Sequence, residues 1–215
     1  MKYFLLFPIL LFTMCRRAEK KEAGAAVQIR KSDTSAVNRG MIDKAKGMLR
    51  TGDLVFRTGN DLTSFFFKQL NVKDNTYSHC GIASVEDSGV FIYHVLGGEF
   101  NPGEQILHEP LNVFISPREN DGFGIFRYPL SASEGNRVIY TARQIQKAGV
   151  RFDMDFDLAT NHKMYCAEFV HKTLRWATGE RIVTDSTNAG FKTGITTDNL
   201  FGNAQCRELG RFVYR

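Results

Sequence analysis

The chain changes its hydrophobic rhythm several times, and each change marks an element. It opens on an apolar run from Tyr3 to Met14, preceded by one lysine and followed at once by Arg16, Arg17, Lys20 and Lys21. That run is too short to span a bilayer and has the length of the apolar stretch of an export signal. Residues 16–36 are small, polar and charged, the composition of a flexible tether. Apolar positions at Met41, Ile42, Ala45 and Met48 then recur at helical spacing and predict a helix over 37–50, ended by Gly52.

From Gly52 the period shortens. GDLVFRTG reads as a strand after a Gly-Asp turn, and DLTSFFFKQLN as a helix or an irregular segment. YSHCGIASV and VFIYHVLGG read as two strands joined around Glu86–Gly89, a hairpin signal. A further strand pair is expected between Gln105 and Phe114, followed by a strand at GFGIFRYP. Val138, Ile139, Ala142, Ile145 and Ala148 predict a helix over 131–149, and a second helix is expected from near Lys163 through Trp176. RFVYR closes the chain as a strand. The order implies an α+β domain, a mostly antiparallel sheet or barrel with helices packed on it, spanning 37–215.

Composition narrows the function classes. The chain has 215 residues, enough for one domain with a sizeable core but cramped for two. The net charge of +5 permits contact with anionic surfaces, yet no Lys/Arg block with interleaved aromatics appears, so no nucleic-acid partner is expected. The apolar opening implies export to a periplasm or cell envelope. Cys15, just after the apolar run, is positioned for lipid attachment, although Phe12, Thr13 and Met14 are larger than the residues that usually precede a lipidated cysteine. Residues 1–15 are therefore either a signal peptide or a lipoprotein signal. Cys80, Cys166 and Cys206 remain, an odd number that leaves at least one free thiol and excludes a disulfide-stapled scaffold.

Cys166 lies near the start of an expected helix, where unpaired N–H groups and the positive dipole end favour thiolate over thiol. On its own it reads more simply as a buried cysteine packed as a small hydrophobe. His79 changes the balance, because a strand would hold its imidazole in one place, and a Cys–His couple needs closeness in space only. His94, across the expected hairpin, would lie near His79 and fix its tautomer as the third member of a triad does. Cys80 follows His79 on the strand and should face the opposite side of the sheet, away from a site. For the same reason His79, Cys80, His94 and Cys166 do not make a zinc site. Asp153, Asp155 and Asp157 alternate, but the glycine and glutamate of a calcium loop are missing, so they are expected to shape the loop before the helix. No metal or cofactor is expected. Phe65, Phe66 and Phe67 read as core, or as the lining of an apolar groove.

GDLVF, then YSHCGI, then a helix opening YCAEFV resembles the circularly permuted papain-fold branch of the NlpC/P60 superfamily, the YiiX/YaeF-like group. The likeness covers roughly residues 48–176, and the Asp153–Asp157 lead-in is also similar. It implies a cysteine helix packed on an antiparallel sheet or barrel, with Cys166 as nucleophile, His79 as general base and His94 in the place of the family's third polar residue, often Glu. Tyr77 and Tyr165, which open the two motifs, are expected to contact substrate. The implied activity is that of a cysteine amidase or peptidase acting on cell-wall peptides or amidated amino acids. A lipid-directed acyltransferase or thioesterase on the same constellation, and a non-catalytic envelope-binding module, are the alternatives.

Overall fold

The computed structural model describes residues 31–98, 101–184, 186–189 and 192–215. The expected export signal, the lipidation site at Cys15 and most of the tether lie outside the described residues. Helix α1 (Lys31–Met48) begins ahead of the expected start at Val37, so the last residues assigned to the tether are helical.

The centre is a six-stranded antiparallel sheet in the order β4-β3-β2-β1-β5-β8. Its strands are β1 (Leu54–Gly59), β2 (His79–Glu86), β3 (Gly89–Val95), β4 (Ile106–Pro110), β5 (Asn120–Arg127) and β8 (Arg207–Val213). Alternation along each strand divides the apolar residues between two cores. Leu54, Phe56, Cys80, Ile82, Tyr93 and Val95 enter one core; Val55, Ala83, Ile92, Phe123 and Ile125 enter the other. Full burial of each large apolar side chain contributes about 1.5–3 kcal/mol. The first core is covered by α4 (Ala132–Lys147) and α5 (Cys166–Ala177), which contribute Val138, Ala142, Phe169 and Val170. The second is covered by Ile42 and Ala45 of α1, and by Leu111 and Phe114 of α3 (Leu111–Phe114).

Local chemistry sets the element ends. Ser131 caps α4, accepting from Glu134 N while its own backbone N–H donates to the Glu134 carboxylate, a reciprocal capping box. Asp61 caps α2 (Leu62–Gln69), accepting from Ser64 N at 2.9 Å. Asp53, from the Gly-Asp turn, is buried and holds Arg127 through two bonds of 2.6 and 2.7 Å, while Arg127 also donates to the Met48 carbonyl. This carboxylate therefore ties the end of α1 to β1 and β5. The hairpin falls as expected, with Glu86 opposite Gly89. The expected strand pair over 105–114 is corrected: β4 stops at Pro110, whose missing N–H ends the ladder, and α3 follows. The β6–β7 ribbon (Thr187–Ala189, Lys192–Gly194) and α6 (Thr197–Phe201) were not anticipated; each is too short to show a period.

Candidate active site

His79 opens β2, opposite Arg57 on β1. His94, on β3, reaches it across the hairpin, with Nδ1 2.9 Å from His79 Nε2 and the rings nearly perpendicular at 84°. The space for this contact comes from Gly81. A Cβ there would lie 2.4 Å from Ile92 Cγ2, 2.8 Å from the Tyr93 carbonyl oxygen and 3.0 Å from His94 Cβ. The chain of contacts continues outward, with His94 Nε2 2.9 Å from Glu109 Oε1 on β4. Phe114 packs against both imidazoles.

Arg57 shares this face. Its guanidinium lies 5.0 Å from the Phe114 ring centroid and donates to the Phe114 carbonyl at 3.1 Å. Burial lowers the pKa of His79 well below the usual imidazole range, and the charges of Arg57 and His94 add to that. Burial lowers His94 as well, against the opposing pull of Glu109. Burial pushes Glu109 up, but the His94 hydrogen bond and the nearby positive charge outweigh it and hold the carboxylate below its ordinary range. Neutral imidazoles and an ionised Glu109 follow at neutral pH.

Cys166 is the first residue of α5, with Tyr165 as N-cap and Glu168 accepting from Tyr165 N at 3.2 Å. The neighbouring Cys80 thiol is the largest influence lowering its pKa. The backbone N–H groups of Ala167 and Cys80 and the charge of Arg57 act the same way, and burial opposes them. Cys80 is pushed the other way, first by burial and then by its bond to Cys166. The proton of the pair therefore rests on Cys80, and Cys166 is the sulfur prepared to be an anion.

This corrects the expectation for Cys80. It does face the side of the sheet opposite His79, but that side carries α5, so Cys80 shares a core with Cys166 and acts on its thiol.

His79, His94, Glu109, Arg57 and Cys166 all border one cavity of about 720 Å³. A second, smaller apolar pocket of about 50 Å³ also borders Cys166, lined by Phe67, Leu70, Phe156, Tyr165 and Ile195. Tyr165 is thus at the site, its hydroxyl accepting from Ile195 N at 2.8 Å. Tyr77 is not: it is buried among Phe56, Phe126 and Phe201, borders neither cavity, and its expected contact with substrate is corrected to a core role. Phe65 and Phe66 are exposed, contrary to a core role, whereas Phe67 borders both cavities.

Asp153 accepts from Asp155 N and Asp157 N at 2.9 and 2.6 Å, building the loop before α5 as expected. Among the described residues no group of three or more His, Cys, Asp or Glu is placed to hold a metal ion. Arg57, Cys80 and Glu109 were not proposed as parts of the site from the sequence. Arg57 and Glu109 are revealed by the strand register, and no local motif marks them.

No protein-family model matches the chain, and no curated protein matches it. Among solved structures, a chain described as metalloprotein yiiX from Escherichia coli O157:H7 is similar, with a TM-score of 0.61 and 18% identity over 75% of this chain and 97% of that one. The likeness establishes a YiiX-like fold: a mixed α+β domain with an antiparallel sheet and flanking helices.

Proposed function

We propose that this chain is an exported cysteine hydrolase, of the amidase or peptidase kind, on a circularly permuted papain-like fold of the NlpC/P60 superfamily. The observation that carries the reading is the setting of Cys166. Its sulfur lies at a helix N-terminus, where the donor groups of Cys80 and Ala167 act to lower its pKa, and it borders the cavity that His79 also borders. A buried structural cysteine has no need of such donors.

In the proposed reaction, neutral His79 takes the Cys166 proton, and the thiolate attacks the carbonyl carbon of an amide. The backbone N–H of Cys166, at the helix start, holds the oxyanion as the tetrahedral centre forms. Collapse breaks the C–N bond, and His79 returns its proton to the leaving amine. Water then hydrolyses the thioester, with His79 again as base. The cavity, lined by apolar residues such as Leu96, Leu107 and Phe152 together with Arg57, Asp61 and Glu109, suits a peptide or an amidated amino acid, including peptidoglycan-derived peptides. Lipid attachment at Cys15 would hold the chain at a membrane.

The similar structure is described as a metalloprotein. Here the imidazoles face each other through Nε2 and Nδ1, and His94 Nε2 is turned to Glu109, so the facing nitrogens are not left for a metal. No step is assigned to one. The apolar pocket beside Cys166 favours one second reading, acyl transfer from a lipid on the same thiol.

Reaction with iodoacetamide across pH, followed by intact-mass analysis, tests the nucleophile. Cys166 should react from a lower pH than an ordinary thiol, because its lowered pKa leaves thiolate present above that value. Cys206, pushed up to about 12 chiefly by burial, should lag. His79→Ala should slow the reaction of Cys166. Cys166 that lags with Cys206 would leave only the binding-module reading. Incubation with muropeptides or phospholipids, with Cys166→Ala as control, then shows which class leaves an acyl group on the protein.

A further inference from the structure

We infer that Glu109 is a positioning residue: through His94 it fixes which nitrogen of His79 is free to accept a proton. The inference rests on the hydrolase reading and adds a residue to it.

The argument is a sequence of forced choices. An ionised carboxylate only accepts hydrogen bonds, so the 2.9 Å contact requires His94 to carry its proton on Nε2. A neutral imidazole has one N–H, so His94 Nδ1 must accept. The 2.9 Å contact from that nitrogen then requires His79 to carry its proton on Nε2. His79 Nδ1 is left with its lone pair, and among the described residues no side-chain hydrogen bond occupies it. A proton from Cys166 can arrive only there. When it does, the imidazolium keeps its Nε2–H on His94, and the charge on Glu109 stabilises it from two residues away. Glu109 itself never becomes protonated.

The placement fits this role better than a purely structural one. Glu109 lies on β4, at the edge of the sheet, with its side chain only 25% exposed and bonded to the nearly sealed His94. Arg57 is close enough to help keep it ionised, yet among the described residues no ion pair within 4 Å joins the two, so the carboxylate remains directed at His94.

The test uses the full chain labelled with ¹⁵N-histidine. Two-bond ¹H–¹⁵N correlation spectra, recorded where both imidazoles are neutral, identify the tautomers. His79 and His94 should both carry the proton on Nε2. Glu109→Gln can instead present its NH₂ group to His94 Nε2, which would move protons to the Nδ1 positions of both rings. The same variant should slow iodoacetamide reaction at Cys166 by roughly 10- to 100-fold, by analogy with the loss of an outer partner that orients a metal-binding histidine. Glu109→Asp, which keeps an acceptor-only group, should recover the tautomers and part of the rate. A proton on Nδ1 of either ring in the unaltered chain would overturn the inference, and so would a Glu109→Gln protein that keeps both its tautomers and its Cys166 rate, because the amide oxygen could replace the acceptor but not the charge. A slow Cys166 in the unaltered chain, with the tautomers as described, would instead reject the hydrolase reading.

Discussion

Replacing Gly81 by alanine adds one methyl group at the point where β2 and β3 are tightest. The new Cβ would stand 2.4 Å from Ile92 Cγ2, 2.8 Å from the Tyr93 oxygen and 3.0 Å from His94 Cβ. The first contact can be relieved by a side-chain shift; the second is backbone, and only separation of the strands relieves it. Overpacking of this kind costs about 1–3 kcal/mol. At about 2–4 °C per kcal/mol for a chain of this size, Tm should fall by roughly 2–12 °C. Separation also pulls His94 from His79, so iodoacetamide reaction at Cys166 should slow even at temperatures where the variant is fully folded. Gly40→Ala supplies the control. Gly40 is an exposed position inside α1 where an added methyl would meet nothing within 4 Å, so there the same substitution should stabilise by about 1 kcal/mol. Calorimetry on both variants decides the matter. A Gly81→Ala protein with unchanged Tm and an unchanged Cys166 rate would refute the claim that this glycine makes the space for the histidine pair.

Two further substitutions separate site from core. Cys80→Ala removes the largest influence lowering the Cys166 thiol, so the pH at which Cys166 begins to react with iodoacetamide should rise; an unmoved profile would mean that the Cys80 thiol is not a working donor. Tyr77→Phe removes a buried hydroxyl that has no hydrogen-bond partner among the described residues, and an unpaired buried polar group costs about 1–3 kcal/mol. The variant should match or exceed the original in Tm with the Cys166 rate unchanged, and a large loss of rate would restore Tyr77 to the site.

What the sequence revealed and what it concealed differ by the range of the interaction involved. The hairpin was legible because its turn and both strands are continuous in sequence, and it placed His94 beside His79 correctly. Parity along β2 was also read correctly, since His79 and Cys80 do face opposite sides. The conclusion drawn from parity was nonetheless wrong for Cys80. Which side of a sheet receives a helix is settled by tertiary packing, and no strand pattern encodes it. Here α5 covers the side of Cys80, so the residue set aside as facing away became a partner of the thiol. Glu109 was hidden for a related reason. Its contact needs the register of β3 on β4, where Ile92 faces Glu109, across a long connection whose Gly97-Gly98 and Pro102-Gly103 signal turns without fixing that register. Arg57 needs the register of β1 on β2, where it faces His79. Each unforeseen member of the site therefore depends on one more long-range pairing than the motifs display. The glycine in S-H-C-G-I is the local trace of that long-range geometry, because its missing side chain matters only once the second histidine lies across from it.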